Sequence, residues 1–142
     1  MGLKKRGKFP DVGKSANRLL KEAPNLVANE AKNHFLQGFK SGGGQTDAST
    51  GGWAQRKRKD PKRQKGKRAI LVKTGAMRND IDIRKTTIQK IIIGTLDTEY
   101  ASYHNEGGEN LPQREFLGDS RKLNIKIARL LGNQFKTRFN GK

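Results

Sequence analysis

Two histidines, His34 and His104, are the only imidazoles in this chain of 142 residues, and there is no cysteine. Without thiols there is no disulfide framework, no thiolate zinc site and no cysteine nucleophile. His104 stands near Asp97, Glu99 and Glu106, a grouping from which a metal site or an acid–base pair could be built. His104-Asn105 also invites comparison with His-Asn nucleases. Neither idea fits the spacing, because further ligands are not placed to complete a coordination set and His34 falls far away in a helical pattern. His104 is therefore read as a helix-packing or cap-bonding residue, and His34 as a core-edge histidine. No catalytic residue, metal or cofactor is expected, and the chain is read as not being an enzyme.

The chemistry that the composition does favour is contact with phosphate. Lys and Arg number 31 against 13 Asp and Glu, a formal charge of +18. The excess is uneven: residues 54–68 carry a local +8, residues 118–142 carry +6, and residues 1–10 carry four basic groups and no acidic one. In the first of these blocks Arg56, Lys57, Arg58, Lys59, Lys62, Arg63, Lys65, Lys67 and Arg68 form a run. Lys and Arg clustered this densely neutralise phosphates and release counterions without reading sequence, which suits DNA passing by. A solvated charge run that only keeps the chain soluble is the plainer alternative. Between residues 95 and 117 the sign reverses, with Asp97, Glu99, Glu106, Glu109 and Glu115 against Arg114 alone. Such polarity serves contact between copies as well as contact with nucleic acid.

The glycines at 42–44 and 51–52 do not make a phosphate loop, which requires a buried strand before it and a Gly-Lys-Ser/Thr ending that Gly66-Lys67-Arg68 does not supply. They are read as linker punctuation. No apolar run approaches the ~20 residues that cross a bilayer, and the Lys-rich start is not followed by a signal-peptide stretch. A soluble, unsecreted protein without membrane contact is expected.

The elements that position these residues follow from periodicity. Residues 1–13 read as a flexible basic arm and residues 14–142 as a single α+β domain. Ala16, Leu19, Leu20, Ala23, Val27, Ala31, His34 and Phe35 recur at helical spacing. Pro24 predicts a kink, or a short helix ending near Glu22 followed by a longer one. Residues 41–68 form a long basic insertion loop, expected to be the least structured part of the chain, from which Trp53 plugs back onto a core edge. Thr74 is a candidate cap for one helical turn. Ile81 and Ile83 with Ile88, Ile91, Ile92 and Ile93 surround the polar Arg84-Lys85-Thr86-Thr87, a hairpin pattern ending at Gly94. Asp97 is a candidate cap for a helix whose face holds Tyr100, Ala101, Tyr103 and His104. Pro112 opens a short extended piece, and Asp119 or Ser120 caps a final helix with Leu123, Ile127, Leu130, Leu131 and Phe135 on one face. The sum is two long amphipathic helices packed on a small antiparallel sheet.

Taken in order, Gly52-Trp53, the basic stretch, Ile70 to Ile81 with Thr74-Gly75-Ala76-Met77-Arg78 at its centre, Gly94-Thr95, Tyr100-Ala101, His104-Asn105-Glu106-Gly107 and Pro112-Gln113-Arg114-Glu115-Phe116-Leu117-Gly118 resemble the phage virion morphogenesis family. Proteins of that family, also called tail completion proteins, show Thr-Gly-x-Leu-Arg-x-Ser-Ile, a Gly-Thr strand end, Tyr-Ala-x-x-His-x-x-Gly and Pro-x-Arg-x-Phe-Leu-Gly. The likeness covers about half the chain and keeps the motif order. Met77 departs from the usual leucine and Asp80 from the common serine. The resemblance implies a structural virion component at the neck or tail terminus, made in the host cytoplasm and acting as a homo-oligomeric ring. Its implied partners are itself, other neck, connector or tail proteins, and packaged double-stranded DNA. The alternative expectation is a free-standing, sequence-nonspecific nucleic-acid-binding protein, for which the charge alone would suffice.

Overall fold

Asp11 accepts the Lys14 N–H on its side chain at 3.1 Å and so starts α1 (Val12–Ser41). The helix therefore begins within the residues assigned from the sequence to a flexible arm. The computed structural model describes residues 11–49, 52–55, 70–72 and 74–140; the expected arm at 1–10 and the nine basic residues from Arg56 to Arg68 lie outside them. Pro24 does not divide α1 into two helices. The carbonyl it leaves without an amide partner belongs to Leu20, whose side chain is exposed. Gly42, at φ 77°, ends the helix in the left-handed conformation that glycine adopts freely, and its N–H bonds to the Gly38 carbonyl.

After a 3-10 turn at Asp47–Ser49 and the clipped α2 (Ala76–Asp80), β1 (Asp82–Thr86) and β2 (Ile91–Gly94) pair antiparallel. Then come α3 (Ala101–Glu106) and α4 (Arg121–Phe139). Thus α1 and α4, the two long helices, pack on each other and α1 also packs on the two-stranded sheet, an α+β arrangement.

The hairpin turn differs in place from the sequence expectation. Arg84, Lys85 and Thr86 are strand residues, and the turn runs over residues 87–90, closed by reciprocal Thr87 and Lys90 backbone bonds. The cause is a bulge: Ile83 pairs with Ile93 and Lys85 with Ile92, leaving Arg84 without a cross-strand partner. Freed from the ladder, Arg84 bonds the Asp80 carbonyl at 2.8 Å, its carboxylate at 3.1 Å and the Gly94 carbonyl at 3.3 Å. Ile88, counted among the hairpin apolars, sits exposed in the turn.

One core cluster joins Phe39, Trp53, Met77, Ile81, Ala101 and Phe116, with Ile70, Leu71 and Val72 partly buried against it. A second joins Ala31 and Phe35 of α1 to Leu123 of α4. Both use the C-terminal half of α1, where Ala28, Gly38 and Phe39, absent from the periodic set read off the sequence, are buried while Leu20 is not. Phe135 also departs from its expected core position: it is exposed, stacked on Phe139 with ring centroids 4.4 Å apart. Of the two cap candidates, Asp119 and Ser120, it is Ser120 that caps α4, accepting the Leu123 N–H at 3.1 Å.

Candidate functional site

The basic run has two roots, residues 52–55 before it and 70–72 after it, and both rest on the same core cluster. The first root is held most firmly. Trp53 is buried edge-on against Phe39, with ring centroids 5.4 Å apart, and its Nε1 donates to the Glu115 carbonyl at 2.9 Å. The lone indole is therefore an anchor. Gly43 makes room for it: at φ 111°, a Cβ there would stand 2.7 Å from the Trp53 nitrogen. Residues 42–49 are consequently not the unstructured linker expected, because Thr46 and Ser49 are buried and share a 2.7 Å hydroxyl bond.

Arg114 supplies the second hold. Its side chain is buried, and its Nε donates to the Ala54 carbonyl at 2.9 Å and its Nη2 to the Gln55 carbonyl at 3.5 Å. A guanidinium that grips two consecutive carbonyls fixes the direction in which the chain leaves the core. The Pro112 to Gly118 stretch that provides Arg114, expected as a short extended piece, is neither helix nor strand and bends at residues 116–118. It is held by side chains instead. Asn105 accepts the Phe116 N–H at 2.9 Å and the Leu117 N–H at 3.0 Å, and donates to the Leu117 carbonyl at 2.9 Å. The Arg114 N–H reaches the His104 carbonyl at 2.8 Å. Gly107, at φ 79°, closes α3 so tightly that a Cβ would meet the Gln113 backbone at 2.9 Å.

The same loop is tied to α4. Asp47 accepts the Arg121 N–H through both carboxylate oxygens, at 3.0 and 3.2 Å, and its own N–H bonds the Asp119 carbonyl at 2.7 Å. At the centre lies His34, wholly buried rather than at a core edge, with Nε2 2.8 Å from the Gln45 carbonyl and 2.9 Å from Ser120 Oγ. A carbonyl only accepts, so Nε2 carries the ring proton and Nδ1 the lone pair. That Nδ1 has no partner among the described residues. Burial lowers the His34 pKa, outweighing the Gln45 bond that would raise it. His104 is lowered too, by burial and then by the charge of Arg114. It packs against Tyr100, with its Nδ1 likewise unpartnered among the described residues.

The other expected positions fall around this clasp. Ala101, Phe116 and Leu117 pack in or on its core. Pro112 is half-buried and Gly118 exposed at the end of the box. Thr74 Oγ1 accepts the Ala76 N–H at 3.3 Å, although the cap position itself is Gly75 at φ 82°. Arg78 lies in α2, and Gly94 ends β2. Asp97 is not the cap of α3, which starts after Tyr100 with no side-chain cap bond. The reason is Asp80, whose Oδ2 collects the N–H groups of Leu96, Asp97 and Thr98 at 2.9 to 3.0 Å and orders that turn. Desolvation pushes the Asp80 pKa up, but these bonds win and hold it down at about 2. Tyr100 and Tyr103, assigned to an apolar face, are exposed.

Sequence reasoning missed Asp47, Asp80 and Asn105 as organisers. The only signal for Asn105 was its place inside the His104 to Gly107 motif. Among the described residues no group of three or more His, Asp or Glu is arranged to hold a metal, and no helix is long and apolar enough to cross a membrane. No family model matches the chain, nor does any curated protein or solved structure compared with it.

Proposed function

We propose that this chain is a structural virion protein of a tailed phage, acting in tail completion or head–tail joining. Identical subunits assemble as a ring at the neck or tail terminus, with the basic run against DNA or a neighbouring subunit. One observation supports the reading above others: six of the residues that carry the resemblance meet in the clasp. Trp53, Ala101, Gly107, Arg114, Phe116 and Leu117 stand in one constellation whose mechanical effect is to fix both roots of a strongly cationic segment. A device that presents positive charge from a rigid base suits assembly beside packaged DNA and involves no bond-making step.

The test is microscopy of particles made without the protein. Heads and tails that remain unjoined, or tails that lack their terminal feature, are expected, and normal infectious particles would overturn the proposal. A variant carrying Arg56→Gln, Lys57→Gln, Arg58→Gln and Lys59→Gln is expected to keep the wild-type melting temperature and lose virion maturation or DNA passage. The second reading, a free-standing nucleic-acid binder, is supported by the +18 charge. It is the better account if the purified chain stays a monomer and binds any duplex with steep salt dependence.

A further inference from the structure

Five acidic groups are matched within the subunit: Asp11 with Lys14, Glu22 with Arg138, Glu30 with Lys126, Asp80 with Arg84 and Asp82 with Lys32. Asp97, Glu99, Glu106 and Glu109 form no ion pair among the described residues, and neither do Lys122, Arg129 and Lys136. The two sets are separated. The acids lie in and beside α3, the bases along α4.

Each set surrounds exposed apolar surface. Among the acids, Leu96 is 72% and Tyr103 68% exposed, and Tyr100 stands out beside them. The Asp80 carboxylate holds the turn that carries Leu96, so this residue is presented to solvent by a fixed backbone. Tyrosines within a charged rim have the composition of a subunit contact. On α4 the residues Lys122, Ile125, Arg129, Gly132 and Lys136 follow at spacings of three and four and so share one line. All five are exposed. Glycine inside a helix costs about 1 kcal/mol relative to alanine, and nothing lies within 4 Å of a Cβ at Gly132, so no neighbour among the described residues requires it. Bare backbone at the middle of a cationic line offers a seat to an aromatic ring arriving from outside.

We infer that the acidic, tyrosine-bearing surface around α3 of one copy docks on the Lys122, Ile125, Arg129, Gly132 and Lys136 line of a second copy. This names the faces used by the assembly proposed above and rests on that reading. Two different patches meeting head to tail propagate into a ring or a filament. Charge complementarity favours a second copy over a duplex as the occupant of the α4 line. A duplex would use the three bases, but it would leave Ile125, Gly132 and the whole acidic surface without a role.

Sedimentation of the full chain over a range of concentrations tests the docking. The wild type is expected to assemble. Glu99→Lys with Glu106→Lys, and separately Arg129→Glu with Lys136→Glu, are each expected to weaken self-association by about tenfold or more at unchanged melting temperature. An equimolar mixture of the two variants regains association, because each supplies the face that the other lacks. Gly132→Leu is expected to melt no lower than wild type yet associate more weakly. Variants that assemble like the wild type overturn the docking, as does a mixture that stays dissociated. An Arg129→Glu, Lys136→Glu protein that still assembles but has lost duplex binding would make the α4 line a DNA surface instead. If wild-type rings form and these variants leave them intact, the assembly reading stands and only this interface falls. A wild type that is monomeric throughout and absent from particles removes both.

Discussion

The two halves of α1 sit in different surroundings. From Ala28 to Phe39 the helix contributes six buried residues, including Phe39 at 1% exposure, and touches sheet, loop and α4. From Val12 to Val27 it contributes none, and both Val12 and Leu20 face solvent. There the helix is tied to α4 through the ion pair between Glu22 and Arg138. One continuous element is thus a core helix at one end and an outlying strut at the other. The stability of the fold resides where α1 meets the clasp.

Substitutions that treat the halves differently sharpen this contrast. Phe39→Ala is expected to cost about 3 to 5 kcal/mol, since it removes a ring shared with Trp53 and Phe116. Leu20→Ala should change stability by no more than about 0.5 kcal/mol. Chemical denaturation of the two variants checks both, and equal losses would dissolve the distinction. Asn105→Ala comes next, at about 1 to 3 kcal/mol, because it strands part-buried amide and carbonyl groups of residues 116 and 117. Its second readout is proteolysis at the root of the basic run, which should become faster.

A graded effect follows from acid. The folded-state pKa of His34 lies below its ordinary 6.5, so the unfolded chain takes up the proton more readily. The contribution of His34 is complete above pH 6.5 and is lost as pH falls from there toward the folded value. Melting temperature should decline over that window, and His34→Gln should flatten its share of the slope. His104 is lowered in the same direction and adds to the decline. A second decline belongs to Asp80, whose stabilisation is complete above 3.8 and disappears as pH falls toward 2. A small effect is also expected from the ion pair at the strut: Glu22→Ala or Arg138→Ala should cost under about 1 kcal/mol, with a double-mutant coupling that salt suppresses.

Long-period features of this fold were legible in the sequence. Helical spacing located both long helices, the isoleucines located the hairpin, the pair Asp119-Ser120 announced the start of α4, and a lone indole in polar surroundings announced its own burial. The hairpin turn was misplaced because Arg84-Lys85-Thr86 is as polar as a turn, yet a two-stranded sheet exposes one face and its bulge uses Arg84 as a cross-link to Asp80. The clasp was harder to see for a different reason. Asn105 and Asp47 bind backbone groups 11 to 74 residues away, and every residue offers the same amide whatever its side chain. Such a partnership leaves no pattern in composition or period. The clasp members Trp53, Ala101, Gly107, Arg114, Phe116 and Leu117 were marked by the order of the motifs, not as partners of one another.

Pro24 has a consequence in time rather than in space. It brings no amide to the Leu20 carbonyl, so the ladder of α1 lacks a rung within its outlying half. Amide protons from residue 15 to 23 should therefore exchange with solvent deuterium through a local opening that leaves residues 28–39 protected. The N-terminal turns can melt and re-form while the rest of the molecule remains folded.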